Sequence, residues 1–202
     1  LNVMTLMGAR RGLVALTKID MVDDETRGLA VQELRGFLQG TFLADTPICP
    51  LSNITGEGFD AFFESLAAQW IASRQAQRER LFATLDCHSD FTAIVILDSY
   101  RALMDCRHFW HAALLRGATH PQFWQPFRAA GLRLLEHIVE LRRTALGRPL
   151  SPLETRHLQF AFQMANGVIN NNIINRPGPL MPGTPEFESE LVRGLKAVAG
   201  FG

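Results

Sequence analysis

Two short apolar runs, at residues 13–17 and 47–51, are each bounded by turn-forming residues. This pattern is typical of strands that are buried on both faces of a parallel sheet. Between them, residues 25–38 carry apolar side chains at helical spacing, and Gly40 follows as a stop signal. Strand, helix and strand in this order predict a right-handed crossover in a parallel sheet, where ligands lie at the carboxyl ends of the strands.

After Gly58 the strand signals disappear, and helical periodicity continues through the remaining chain. The periodicity predicts helices at residues 59–81, 91–104, 109–115, 122–146, 151–172 and 184–199, with Gly117 ending the third. Two of these helices have clear starts: Ser151-Pro152-Leu153-Glu154 is a capping box, and Thr184-Pro185-Glu186 joins an N-cap to a first-turn proline and an acid. The expected fold is mainly α, with a small α/β segment in front.

The composition fits a globular protein, since 47% of the 202 residues are hydrophobic and 20% are charged. The net charge is zero, so the chain lacks the excess positive charge that is typical of nucleic-acid-binding proteins. Residues 1–70 carry five basic and nine acidic side chains, whereas the rest of the chain is net positive, which favours two differently built segments. Three cysteines without C-x-x-C spacing, and no apolar run long enough to span a membrane, predict a cytoplasmic protein with reduced thiols.

A guanine-binding pattern follows the two predicted strands. Thr17, Lys18 and Asp20 form a T-K-x-D motif after the first strand, and Ser52, Asn53 and Ile54 open an S-x-x-T-G-E-G turn after the second. In such a motif the aspartate accepts hydrogen bonds from the guanine N1–H and amine, the lysine stem lies along the purine, and a backbone N–H of the turn reaches the guanine oxygen. A chance tetrapeptide is the alternative, but the paired turn after the next strand favours guanine recognition.

The phosphate-binding elements of a GTPase are not found within these 202 residues. Neither a G-x-x-x-x-G-K-[ST] loop nor a D-x-x-G segment occurs. Because phosphate and Mg²⁺ contacts dominate nucleotide affinity and drive hydrolysis, we expect no enzyme activity, no resident cofactor and at most millimolar GTP or GDP binding.

Residues 1–66 resemble the last third of the GTPase domain of selenocysteine-specific translation elongation factors. The resemblance rests on residues 4–12, the run to Asp20, residues 22–25, residues 40–43 and residues 55–58. It implies a partial P-loop GTPase fold with a vestigial guanine site at the residues named above. Asn53 stands where that family usually has alanine, which the backbone contact tolerates.

From about residue 62 to residue 202, the chain resembles the ligand-binding and dimerisation domain of TetR-type transcriptional regulators. The resemblance rests on Phe109-Trp110, residues 117–124, residues 160–164, the Asn-rich segment 167–175 and residues 177–180. It implies an all-helical bundle over residues 67–202 that binds a small-molecule effector and forms a homodimer. No helix-turn-helix pattern precedes it in residues 1–58, so we expect no direct binding of nucleic acid by this chain.

Several side chains of the helical segment are candidates for an effector pocket, because such pockets are mostly apolar and aromatic. These are Tyr100, Met104, Trp110, Phe123, Trp124, Phe127 and His137. Ordinary core packing is the alternative for each of them. Cys106, His108 and His111 lie close in sequence, but nothing nearby completes a ligand set, so we expect no metal.

The two capped helices carry apolar stripes that predict a dimer interface. The stripes consist of Phe160, Met164, Gly167 and Val168 on one helix and Phe187, Leu191, Leu195 and Val198 on the other. Terminal helix pairs of this kind form four-helix bundles with a twofold copy. Gln163, Asn166 and Asn170 share a face of the first helix and indicate either register-fixing contacts or a solvated face.

The sequence supports three hypotheses for function. The first is a TetR-like effector-binding, dimerising domain without its own helix-turn-helix, fused to an incomplete GTP-binding domain. The alternatives are a truncated selenocysteine-specific elongation factor and a non-functional gene fusion.

Overall fold

The computed structural model describes residues 2–8, 11–85, 90–175 and 178–200. It divides into two compact units, Leu1–Arg74 and Gln75–Gly202, and the boundary lies within the long helix Phe59–Phe82. The sequence places the boundary earlier in the same helix, at residue 66. The chain is mainly helical, which confirms the expected class.

Unit 1 contains the predicted strand, helix and strand. A short helix α1 (Asn2–Leu6), which the pattern does not predict, precedes strand β1 (Val14–Leu16), helix α2 (Asp24–Leu38), strand β2 (Ile48–Pro50) and helix α3 (Phe59–Phe82). The two strands are parallel, with Val14 opposite Ile48 and Leu16 opposite Pro50. Both strands are shorter than the apolar runs that predict them, and they form a two-stranded sheet.

Local signals fix the ends of α2 and the core beneath it. Asp23 caps the helix, since its carboxylate accepts a 2.8 Å hydrogen bond from the Thr26 backbone N–H. Hydrogen bonding to Thr26 lowers the pKa of the Asp23 carboxyl, and the side chain of Thr26 contributes more to this than its backbone does. The core of this unit is apolar and consists of Ile19, Leu38, Leu43, Cys49, Leu51 and Ala67.

Unit 2 is helical throughout its described part, residues 75–85, 90–175 and 178–200. Its helices are α4 (Phe91–Asp105), α5 (Arg107–Thr119), α6 (Gln125–Leu146), α7 (Pro152–Asn175) and α8 (Pro185–Ala199), with a 3₁₀ turn at Pro121–Trp124. Helix α8 packs against α7 and α4, and α5 packs against α7. The core includes Ile96, Tyr100, Ile138, Leu158, Ile169 and Leu195.

Helix α5 is longer than the predicted 109–115, and Gly117 does not end it. Gly117 is buried inside the helix, where a Cβ would lie 1.7 Å from the indole Nε1 of Trp124. The glycine therefore serves close packing of the indole against the helix, and the prediction of a stop signal is wrong. Trp110 on the same helix donates a 2.9 Å hydrogen bond to the Asn170 side chain of α7, so Asn170 fixes a helix–helix contact.

Both predicted caps in this unit are present. The Ser151 hydroxyl accepts from the Glu154 N–H at 3.2 Å, and the Glu154 carboxylate accepts from the Ser151 N–H at 2.7 Å. Arg148 adds an ion pair of 2.7 Å to the same carboxylate, and its hydrogen bond is the main reason why the pKa of Glu154 lies far below its usual range. The Thr184 hydroxyl accepts from the Phe187 N–H at 3.3 Å at the start of α8.

Candidate functional site

The segment after β1 exposes the residues of the T-K-x-D motif. Ile19 is 2% exposed and anchors the segment in the core, while Thr17, Lys18 and Asp20 on either side are exposed. Lys18 has φ 63° and ψ 33°, the left-handed conformation that side chains other than glycine seldom adopt. Such a conformation costs roughly 1–2 kcal/mol and persists only where the surroundings enforce it, often at functional sites.

The turn after β2 is built around a buried hydroxyl. Ser52 is fully buried, and its Oγ accepts hydrogen bonds from the backbone N–H groups of Ile54 at 3.1 Å and Thr55 at 3.2 Å. Two backbone hydrogen bonds of Ser52 close the turn. Its C=O accepts from the Gly56 N–H at 2.9 Å, and its N–H donates to the Glu57 C=O at 3.0 Å. The turn is therefore held from within, and its outer surface is available for contact.

Two glycines make this turn possible. Gly56 and Gly58 both have positive φ, at 79° and 81°. At Gly58 a Cβ would lie 1.9 Å from the Pro50 carbonyl oxygen, whereas at Gly56 it would meet nothing within 4 Å. Only glycine fits position 58, because the chain must pass directly over the end of β2.

An ion pair that the sequence does not predict joins α2 to the turn. The Arg27 guanidinium lies 3.1 Å from the Glu57 carboxylate and 3.5 Å from Asp24. Arg27 and Glu57 are thirty residues apart in sequence, so no local spacing could predict their pairing. It orients the T-G-E-G part of the turn relative to α2.

The two motifs meet at one edge of the sheet. Because β1 and β2 are parallel and adjacent, the segments that follow them lie at the same edge, and the Leu51 N–H extends the ladder by donating to Leu16 C=O at 2.8 Å. Within the described residues, the Asp20 carboxylate accepts no hydrogen bond, and the Asn53 N–H donates none. Ile54, which is 85% exposed, already donates its N–H to Ser52. The available donor is therefore the Asn53 N–H, one residue earlier.

In unit 2, four of the predicted pocket residues pack against one another. Trp110, Phe123, Trp124 and Phe127 form an aromatic cluster with ring centroids 5.2–5.6 Å apart. Tyr100 is 1% exposed and accepts a 2.6 Å hydrogen bond from the Gly183 N–H. These five side chains pack against one another or against neighbouring elements, and Met104 lines a cavity of about 600 Å³. Their role in an effector pocket stays a prediction.

His137 differs from expectation. The sequence predicts a core or pocket histidine, but His137 is exposed, and its ring stacks on Phe82 at a centroid distance of 4.2 Å. Cys106 donates its thiol to the Ala102 carbonyl at 3.0 Å. The described residues contain no group of three or more His, Cys, Asp or Glu side chains arranged for a metal, although His108 and His111 line the same cavity as Met104.

The predicted dimer residues separate into two groups. On α8, Phe187, Leu191 and Leu195 are at most 8% exposed, because they pack within their own chain, and Val198 is half-buried. These α8 side chains pack against α7 and α4 of their own chain, but Phe187, Leu191 and Leu195 also line a groove between α7 and α8, so their part in a dimer interface stays a prediction. On α7, Phe160 is 60% and Val168 40% exposed, Gly167 is exposed and Met164 is half-buried.

Comparisons with known proteins support the resemblance to an elongation-factor fragment. The chain is similar to the selenocysteine-specific elongation factor of Desulfomicrobium baculatum, with 37% identity over 84 residues. The match covers 40% of this chain and only 13% of that factor, so the chain spans a small part of its relative's length. No protein-family model matches the chain, and no solved structure does.

The similarity supports the elongation-factor fragment, while the TetR resemblance stays a prediction. In the part of the chain that the structure describes, no helix combines the length and apolar character needed to cross a membrane.

Proposed function

We propose that unit 1 is a guanine-recognising edge derived from a translation GTPase, and that these 202 residues bind the base weakly without hydrolysing nucleotide. The observation that carries this proposal is the juxtaposition of an exposed acceptor, Asp20, and an exposed donor, the Asn53 N–H, at one edge of β1 and β2. The partial similarity to an elongation factor supports the same reading.

The chemistry follows from the two groups. The Asp20 carboxylate presents two acceptor oxygens, which match the N1–H and exocyclic amine of guanine. Adenine lacks a donor at N1 and therefore cannot make this pair. The Asn53 N–H suits the guanine O6, and the left-handed backbone of Lys18 directs the chain so that its stem can cover the purine face.

The affinity of such an edge is low. No loop within these 202 residues wraps phosphates or Mg²⁺, and those contacts supply most nucleotide affinity and all of the phosphoryl-transfer catalysis. Binding of the base alone is expected in the millimolar range, roughly −4 kcal/mol. The same absence leaves nothing to stabilise charge on a transferring phosphoryl group.

The test is a titration of the ¹⁵N-labelled chain with GMP and with AMP, followed by backbone amide shifts. We expect GMP to shift the amides of residues 17–20 and of Asn53, with a millimolar Kd, and AMP to leave them in place. Asp20→Ala should abolish the response, and Asp45→Ala, which removes another exposed carboxylate of unit 1, should not. Equal responses to GMP and AMP, or GTP hydrolysis above background, would contradict the proposal.

A second candidate function, self-association, is favoured by the outer face of α7. Phe160 is 60% and Val168 40% exposed. An apolar groove of about 150 Å³ runs between α7 and α8, and its lining includes Met164, Val168, Leu180 and the α8 residues Phe187, Leu191 and Leu195. Gly167 presents no side chain at this face, so a second helix can approach closely. We propose that a second copy of the chain covers this face, burying on the order of 800 Å² per partner.

Sedimentation tests the association. We expect about twice the monomer mass at tens of micromolar, and a monomer after Phe160→Asp with Val168→Asp. Leu132→Asp is the matched control, because Leu132 on α6 is 62% exposed, as Phe160 is 60% exposed, but lies off the proposed face. A wild-type chain that is monomeric at this concentration would show that α7 is not an interface.

A further inference from the structure

A cavity in unit 2 lies where α4 meets α5, close to the end of α7 and the loop that precedes α8. Its volume is about 600 Å³, and Met104, His108, Asn172 and Met181 are among its lining residues. This volume falls within the range of small-molecule sites, roughly 300–1,000 Å³. The cavity lies outside unit 1 and is separate from the guanine-binding edge.

One part of the cavity lining carries the positive charge of Arg107. Arg107 and His108, in the first turn of α5, line the cavity together with His111 one turn later. In the described part of the chain, no acidic group lies within ion-pair distance of Arg107. Asp105 is the acidic side chain among the lining residues, and among the described residues no ion pair joins it to Arg107. The positive end of the α5 dipole adds to this field.

Helix α7 supplies a fixed polar group to the cavity. Asn172 lines the cavity although it is only 7% exposed, and its amide nitrogen donates to the Val168 carbonyl at 2.9 Å. This bond holds the side chain in place and leaves its carbonyl oxygen as an acceptor. An acceptor held in the cavity lining favours a ligand that carries a hydroxyl or N–H group.

The loop side of the cavity is held in position. Gly183 lines the cavity with φ 85°, and its N–H donates a 2.6 Å hydrogen bond to the hydroxyl of Tyr100, a core residue of α4. The neighbouring Met181 is 52% exposed, so it provides an apolar rim at the surface. A wall anchored in this way reduces the entropy lost when a ligand binds.

We propose that this cavity binds an organic anion: a molecule with an aromatic or branched apolar body and one carboxylate or sulfonate group. The anionic group lies against Arg107 and His108, the apolar body lies between Met104 and Met181, and a hydroxyl or N–H group reaches Asn172. The charge on Arg107 selects anions over neutral molecules of the same shape.

The test uses 1-anilinonaphthalene-8-sulfonate, an aromatic sulfonate whose fluorescence rises in apolar sites, and N-phenyl-1-naphthylamine, its neutral counterpart. We expect saturable one-to-one binding of the sulfonate in the micromolar range. Arg107→Ala should weaken it about tenfold, the size expected for a hydrogen bond to a charged group. Arg128→Ala, which removes an exposed arginine of α6, should leave it unchanged.

Two further variants identify the site. Met181→Asp adds a carboxylate at the exposed rim and should weaken sulfonate binding more than binding of the neutral probe. Phe160→Asp, on the exposed face of α7, should change neither, which excludes that face as the binding surface. Unchanged affinity in both Arg107→Ala and Met181→Asp, or equal affinity for the two probes, would overturn the proposal. Far-ultraviolet circular dichroism of each variant confirms that it remains folded.

Discussion

Replacing Gly117 by alanine drives a methyl group into the indole of Trp124. The new Cβ would lie 1.7 Å from Nε1 and 2.2 Å from Cε2, far inside contact distance. The indole is rigid, and Gly117 is buried, so the strain can be relieved only if Trp124 leaves its place. That movement disturbs the aromatic cluster that joins α5 to α6.

The cost can be worked out from the contacts that Trp124 makes. Its ring centroid lies 5.6 Å from Trp110, 5.6 Å from Phe123 and 5.3 Å from Phe127. Aromatic pairs at such distances contribute roughly 0.5–1.5 kcal/mol each, so their loss costs about 3 kcal/mol. Alanine returns about 1 kcal/mol through its higher helix propensity. The expected net destabilisation is about 2 kcal/mol, which lowers Tm by about 4–8 °C.

Thermal and urea unfolding, followed by circular dichroism, measure this loss. Gly131→Ala is the matched control, since Gly131 also lies within a helix but a Cβ there meets nothing within 4 Å. It should stabilise the protein by about 1 kcal/mol. If Gly117→Ala proved as stable as Gly131→Ala, the close approach of Trp124 to α5 would be refuted.

Two further predictions concern the turn and the capping box. In urea unfolding, Gly58→Ala should destabilise unit 1 by at least about 2 kcal/mol more than Gly56→Ala does. Both alanines strain the backbone, but only the Cβ at position 58 meets the Pro50 carbonyl. Equal losses of stability in the two variants would contradict this. The depressed pKa of Glu154 means that its stabilisation is complete at neutral pH and declines as pH falls below about 4. Glu154→Gln should therefore lower Tm more at pH 7 than near pH 2 and more than Glu186→Gln does, and a deficit independent of pH would exclude the ion pair.

Features that depend on local sequence could be predicted. Both strands, the helix between them and the Ser151 and Thr184 caps follow from spacing and turn residues, which act within a few positions. The guanine motifs could also be predicted, because they are local sequence patterns. Their conformation could not be predicted, because the left-handed backbone of Lys18 is imposed by its surroundings and no property of lysine favours it.

Features that depend on which partner a face meets could not be predicted. The apolar stripe of α8 predicts contact with a second copy, yet much of it packs against α7 and α4 of the same chain. A stripe shows that a face is buried without showing against what. Gly117 is similar, because a glycine that ends a helix and one that admits an indole look alike in sequence. The Arg27–Glu57 pair joins positions thirty residues apart, beyond any local rule.

The most direct test of guanine recognition by Asp20 is a change of base preference in Asp20→Asn. An asparagine amide replaces one acceptor by a donor, so it no longer matches the N1–H and amine of guanine but suits xanthine, which has a carbonyl in place of the amine. Amide shifts of residues 17–20 and Asn53 should respond to GMP but not XMP in the wild-type chain, and to XMP but not GMP in Asp20→Asn. The same response to GMP in both chains would contradict the account.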